Sequence, residues 1–310
     1  MKKQMLLCAA LLTATVIVRA QKPDTAQVLV HYKFSHLRDT TNREHPYTEN
    51  MVLFVGKNAA AYRSYDRQLQ DALFKKQMQE QLANSPDGRV NFQRKSSGSG
   101  TEYYQFPNEN KMVRKELLFI NNYLVTDILP SIDWKISSDT VTFGGLHCQK
   151  ATTHFKGRDY TAWFCPDLPL HVGPWKLNGL PGVIVEAYDT KKEVEFKFDG
   201  IEKAVITPKK DDQSTGLVSD GPGRTTIMIG MDNTDSDPNI IQLPVNAIKT
   251  TEKEFANLQA AMRKDPNAFV QSMIAAQGGN MPGNGGPKPH IDIKVGPQIV
   301  INNPIELPGK

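Results

Sequence analysis

Apolar and polar residues alternate along much of this chain, the period of two that marks a strand with one buried face. Residues 26–34 set Val28, Val30, Tyr32 and Phe34 on one side. A polar loop, 38–50, follows, and 51–55 with 60–65 read as a hairpin turned at Gly56, Lys57 and Asn58. Residues 103–106, 112–119 and 122–129 predict consecutive antiparallel strands. Residues 134–136 and 140–143 then lead into a second hairpin, 147–154 against 160–165. Residues 183–188 and 194–198, turned at 189–192, complete the series. No βαβ rhythm interrupts it. The pattern predicts a mainly β fold, a curved antiparallel sheet or open barrel of roughly ten strands.

Helical spacing occurs three times. Asp66 is placed to cap a helix running to about Leu82, with Leu69 and Leu73 one turn apart on a partly apolar face, so this is a surface helix. Thr251 with Glu254 forms a capping box for a helix to about Arg263. Asp265-Pro266 opens another, ending near Gly278. Between these elements, residues 85–100 and 208–224 are polar and glycine-rich, read as loops or linkers, and 225–229 adds a strand. Residues 278–289, GGNMPGNGGPKP, are low-complexity. Residues 291–295 and 298–301 read as a final hairpin. The predicted organisation is a leader (1–20), an antiparallel β domain (21–206) and a C-terminal extension (207–310) packing back on it.

The centre of the chain is residues 146–189, a hairpin, a proline-rich crossing segment and an apolar strand. It holds the two cysteines outside the leader, Cys148 and Cys165. Lys156-Gly157 and Gly157-Arg158 are both possible two-residue turns. The first sets Cys148 directly opposite Cys165, at disulfide distance; the second makes them diagonal neighbours. In an oxidising compartment the expectation is a Cys148–Cys165 bridge. A metal site built from His147, Cys148, His154, Cys165 and His171 fails on geometry. His154 lies six residues along the strand from Cys148, about 20 Å away, and His147 points to the opposite face.

Pro166, Pro169, Pro174 and Pro181 stiffen the crossing segment and keep it out of any central strand. Leu180-Pro181-Gly182-Val183 fits a type II turn. One reading makes this segment a strap that closes one end of the β structure and plugs it with Trp175 and Leu177. The other makes it the lip of a binding cleft, with Trp175, Leu177, Arg158, Tyr160 and Trp163 as ligand-binding residues. Arg158, Asp159 and Tyr160 at the hairpin tip are suited to an anion or a peptide carboxylate.

Asn178-Gly179-Leu180-Pro181-Gly182-Val183-Ile184 resembles the signature of the GLPGLI family, secreted envelope proteins of the Bacteroidota without an assigned activity. Cys148-Gln-Lys-Ala151, the run from Gly157 to Trp163, the spacing of Pro169 to Gly173-Pro174, and the ending Asn303-Pro-Ile-Glu-Leu307 are similar to it as well. Val183 departs from the family's usual leucine, and Cys165 stands where a polar residue is more usual. The bridge is therefore not implied by the resemblance. Nor does the resemblance carry any catalytic residue onto this chain.

Residues 1–20 read as a secretory leader: Lys2 and Lys3, an apolar run from Met5 to Val18, then Val18-Arg19-Ala20 before the cleavage point. Cys8 has the wrong surroundings for lipid attachment. The formal charge of +4 falls to +1 once Lys2, Lys3 and Arg19 are removed, leaving 34 basic against 33 acidic residues. That excludes a basic nucleic-acid footprint. No stretch is apolar enough to span a bilayer.

Nucleophile elbows, zinc helices, P-loops and dinucleotide fingerprints are absent from the sequence. Asp235, Asp237 and Asn239 hint at a calcium loop, but Ile240 and Asn246 occupy its glycine and closing-glutamate positions. Glu186 and Asp189, three apart on a strand, face opposite sides, which argues against an acid–base pair. Free thiols would leave Cys165 as a nucleophile without a His/Asp arrangement. The sequence thus predicts no cofactor and no metal. It predicts a non-enzymatic cell-envelope protein, exported to the periplasm, the outer membrane or beyond, that binds an apolar or peptide ligand or docks to an outer-membrane component. The alternatives are an envelope hydrolase with an unrecognised site and a purely structural assembly protein.

Overall fold

The computed structural model describes residues 23–84, 98–119, 121–205, 217–219, 225–227, 237–276 and 300–308. The expected leader and the low-complexity segment lie outside the described residues. So does the final hairpin, except for residues 300 and 301, which are not in a strand.

The chain opens with β1 (Asp24–Thr25) and β2 (Val28–His36), followed by β3 (Tyr47–Val55). β3 pairs with β2 along its length, so Tyr47 to Asn50 are strand where the sequence predicts loop. Burial explains the difference. Phe34 meets the Tyr47 ring at 6.3 Å, and the Tyr47 hydroxyl donates to the buried Glu49 carboxylate at 2.6 Å. After β4 (Ala60–Ser64), α1 (Tyr65–Asn84) starts two residues earlier than Asp66 would require as a cap. Ser64 Oγ does the capping, accepting from the Arg67 amide at 3.0 Å. Asp66 instead accepts from the backbone and side-chain amides of Asn50, at 2.8 and 2.9 Å, tying α1 to β3.

β5 (Glu102–Phe106), β6 (Lys111–Leu118) and β7 (Asn121–Ile128) continue the meander. β8 (Lys135–Phe143) is one strand with an irregularity between Ile136 and Thr140, where the sequence predicts two. β9 (Leu146–Phe155), β10 (Arg158–Cys165), β11 (Val183–Asp189) and β12 (Val194–Lys203) follow. Next come β13 (Leu217–Ser219), β14 (Thr225–Ile227), β15 (Ile240–Ile241), β16 (Ile248–Thr250), α2 (Glu252–Lys264) and α3 (Pro266–Ala276). The predicted capping box at Thr251 and Glu254 is present.

Twelve strands form one sheet in the order β16-β7-β6-β5-β4-β3-β2-β12-β11-β10-β9-β8. It consists of two meanders, β2 to β7 and β8 to β12, fused where β12 pairs with β2. Every pairing is antiparallel except β16 on β7. The outer strands β16 and β8 do not pair with each other, so the curved sheet stays open. Among the described residues, no helix is long and apolar enough to cross a membrane.

Side-chain alternation divides the sheet between two apolar clusters. Met51, Leu53 and Val55 of β3 join Val30, Tyr32, Tyr62, Phe164, Phe196 and the crossing segment on one face. Val52 and Phe54 join Leu29, Tyr104, Phe106 and Leu124 on the other. β3 is buried on both faces, which is why Met51–Val55 reads as an unbroken apolar run. A third cluster seats Phe255, Phe269 and Val270 of α2 and α3 on Leu118, Tyr123 and Val125.

Candidate functional site

The β9–β10 hairpin turns at Lys156 and Gly157, whose φ values of 50° and 74° are those of a type I′ turn. Arg158 therefore pairs with Phe155, and the register runs to Phe164 opposite Gln149. One further step sets Cys165 against Cys148. The expected bridge is not formed: both residues are free, buried cysteines. Burial pushes the Cys148 thiol up to about 12, helped by the neighbouring Cys165, and burial also raises the Cys165 thiol. Neither is a ready thiolate, which removes the physical basis for Cys165 as a nucleophile.

The crossing segment between β10 and β11 is a plug. Trp175 and Leu177 are fully packed in the first apolar cluster, where Trp175 meets Phe155 at 5.8 Å, Tyr160 at 6.4 Å and Phe196 at 6.3 Å. The strap's own carbonyls are satisfied from the sheet. Gln105, buried on β5, donates from Nε2 to the carbonyls of Gly173, Trp175 and Leu177 at 3.0, 3.0 and 3.3 Å. That grip holds Trp175 at φ 55°, a backbone region that a bulky residue rarely occupies. The expected type II turn is not formed. The Gly182 amide donates to the Leu180 carbonyl at 2.8 Å, closing a three-residue turn around Pro181, and the Val183 amide donates instead to Leu168.

The residues read as a possible lip are thus mostly interior. Trp175, Leu177, Tyr160 and Arg158 are buried. Trp163 is half-buried on the other side of β10, edge-on to Phe143 at 6.3 Å. Tyr160 and Trp175 each bury a polar atom without a hydrogen-bond partner, as does Tyr62 on β4.

Arg158 is the centre of a polar cluster that joins three distant parts of the chain. Its Nη1 donates to Asp189 Oδ2 at 2.7 Å and to Glu193 Oε2 at 3.4 Å. Nη2 donates to Asn303 Oδ1 at 2.7 Å and to the Pro304 carbonyl at 2.8 Å, and Nε donates to the Ile305 carbonyl at 3.0 Å. Asp189 Oδ1 in turn accepts from the amides of Glu193 and Val194, at 2.7 and 3.1 Å, fixing the β11–β12 turn. Arg158, Asp189, Glu193, His36 and Asn303 are each under a tenth exposed. A guanidinium that far from water holds only because its planar fork finds acceptors on every side.

This cluster forms the floor of a groove occupied by residues 302–307, with Val300 and Ile301 exposed beside it. Asn303 donates from Nδ2 to the Leu37 carbonyl and to Glu193, at 2.8 and 3.1 Å. His36 Nε2 meets the Asn303 carbonyl at 2.8 Å. The amides of Asn302 and Asn303 both donate to the Arg38 carbonyl, and the Leu307 amide to the Lys156 carbonyl at 3.0 Å. Lys156 pairs with Glu306 at 3.2 Å, and Lys176 is also in contact with Glu306. Gly157 makes room, since a Cβ there would lie 2.7 Å from that of Leu307. Burial raises the Glu193 carboxyl, but hydrogen bonds from Arg43, Asn303 and Arg158 outweigh it and hold the group below the usual carboxylate range. His36 is pulled below its ordinary value by burial, and by Arg38 and Arg158, against the opposing pull of the Asn303 carbonyl and Asp189.

Sequence reasoning singled out Arg158 and Asp189, but separately, and missed His36, Glu193, Gln105 and the role of Asn303. The one available signal for Asn303 is its place in the family-like ending. The other candidates do not assemble. Among the described residues no three metal-binding side chains come together. His154 pairs with Asp159 at 2.7 Å, and His147 stands 3.6 Å from Asp167. Glu186 accepts from the Phe198 amide at 3.1 Å while Asp189 is held by Arg158. Most of the acidic stretch read as a calcium loop lies outside the described residues; Asp237, its described acid, accepts from the Asn239 amide.

No family model matches the chain, and no curated protein does. Among solved structures it is similar to PNGF-II in a C2 crystal form, with a TM-score of 0.46 at 12% identity over 75% of this chain. A P21 form of PNGF-II gives 0.40 at 13% identity over 61%. The chain spans about a third of the length of these structures (32% and 30%).

Proposed function

We propose that this chain is a non-catalytic binding protein of the cell envelope, of the GLPGLI type and exported by its leader, and that it holds a peptide segment presented by an envelope or outer-membrane protein. The observation that supports this reading is the groove at the hairpin tip. A buried arginine, two buried carboxylates and a buried histidine are all spent on holding a length of irregular backbone by its carbonyls and one asparagine. A free apolar ligand finds less support, because the aromatic strap that would serve it is packed into the core.

Native mass spectrometry of residues 21–310, purified gently from the periplasm of the host, tests the reading. A retained peptide, or a protein partner captured with the chain, is the expected result. A stoichiometric non-peptide ligand, or turnover that disappears when one polar residue is changed, would overturn it.

A further inference from the structure

Resting on the peptide-binding reading, we infer that β8 is a docking edge, and that it takes an extended segment of a partner chain as an added strand. β8 is an outer strand of the large sheet, and among the described residues no strand pairs with its free side. The opposite edge, β16, is three residues long and leads straight into α2, whereas β8 spans nine.

The two halves of β8 differ. Between Ile136 and Thr140 the ladder to β9 is irregular. There the Ser137 carbonyl accepts from Gln149 Nε2 at 2.7 Å and Asp139 pairs with Lys150 at 2.9 Å, the combination of irregularity and charge that protects a sheet edge. From Thr140 to Phe143 the ladder is regular, and the sequence Thr-Val-Thr-Phe carries neither charge nor proline. The turn at Gly144 and Gly145, with φ values of 54° and 86°, makes Phe143 and Leu146 its closing pair. The closing pair of a two-residue hairpin is hydrogen-bonded. The backbone groups of Phe143 and Val141 therefore point to β9, and those of Thr142 and Thr140 point outward. Both threonines are exposed.

Such an edge selects its occupant by its own chemistry, because another extended backbone supplies acceptors and donors at the same spacing. Side chains add a preference. Val141 and Phe143 pack against the first apolar cluster, and Phe143 also meets Phe198 at 5.5 Å. The docking segment therefore carries apolar residues at alternate positions, continuing that cluster, with polar residues between them.

The test uses the full mature chain and a soluble fluorescent peptide, Lys-Thr-Val-Thr-Val-Thr-Lys. The Thr140 and Thr142 amides are expected to exchange freely in the chain alone and to become protected by the probe. Thr142→Pro removes an outward donor that the β9 ladder does not use, so the variant should stay folded and bind the probe about ten-fold or more weakly. Thr142→Ser keeps the donor and should bind as the unaltered chain does. The inference is overturned if Thr142→Pro, shown by its melting curve to be folded, binds the probe equally well. If that variant does not fold, exchange in the unaltered chain decides: edge amides left unprotected by saturating probe overturn the inference. A dimer that Thr142→Pro converts to a monomer gives the edge to a second copy and overturns it as well. A peptide retained in native mass spectrometry beside unprotected edge amides would sink this inference alone. Edge protection by the probe beside a retained non-peptide ligand would sink the broader reading and leave the edge assignment standing.

Discussion

Arg158 is the residue on which the account turns. Replacing it with alanine leaves Asp189 and Glu193 buried without their cation, a change expected to cost about 3–5 kcal/mol in the melting free energy. Lysine should not restore it, since one ammonium cannot reach acceptors on five sides at once. His36 adds a pH dependence to the same spot. Its pKa is depressed in the folded chain, so its stabilising contribution is complete above about 6.5 and is lost as pH falls through the folded value. The groups facing it are Arg38, Arg158, Asp189 and the Asn303 carbonyl. Glu193, also depressed, works in the same direction at lower pH, below the ordinary carboxylate value of about 4.3. The protection factors of the amides in residues 302–307, their exchange relative to the intrinsic rate at each pH, should therefore fall between pH 7.5 and 5 while those of the β2–β3 pairing hold. Protection factors that rise over that interval would contradict the assignment.

At the scale of elements, the strap and its turn show what local sequence can and cannot say. Four prolines and Gly182 marked a crossing segment that forms none of the named strands, because proline's fixed φ and missing donor act locally. The turn type was wrong because it depends on Leu168, fourteen residues upstream of the glycine, which takes the Val183 amide. The close approach explains the glycine itself: a Cβ on Gly182, at φ 145°, would lie 2.1 Å from the Cys165 carbonyl oxygen. Gly182→Ala is expected to lose at least about 2 kcal/mol of stability by denaturant unfolding; an unchanged midpoint would refute the packing described. The helix pair α2–α3 is a separate case. Its capping box was legible as a short-range pattern, whereas its seat on β7 was not. Phe255→Ala, which empties the centre of that small cluster, should cost about 3–5 kcal/mol and expose α2 and α3 to proteolysis first.

For the whole molecule, strand alternation was enough to foretell a curved, mainly antiparallel sheet that stays open, since period-two patterning survives in any single segment. The fusion of two meanders through β12 and β2 was not legible, because nothing in residues 28–36 names residues 194–203 as partners. The groove failed to appear for the same reason. Arg158 and Asn303 are 145 residues apart, and each looks like an ordinary surface polar residue until the fold buries both. Hydrogen–deuterium exchange of the mature chain, read at Asn302, Asn303 and Leu307, tests the central claim most directly. The account predicts amides protected well beyond those of an unstructured tail, with protection abolished by Arg158→Ala while β2 and β3 remain closed. Free exchange at those three amides in the unaltered chain would contradict it.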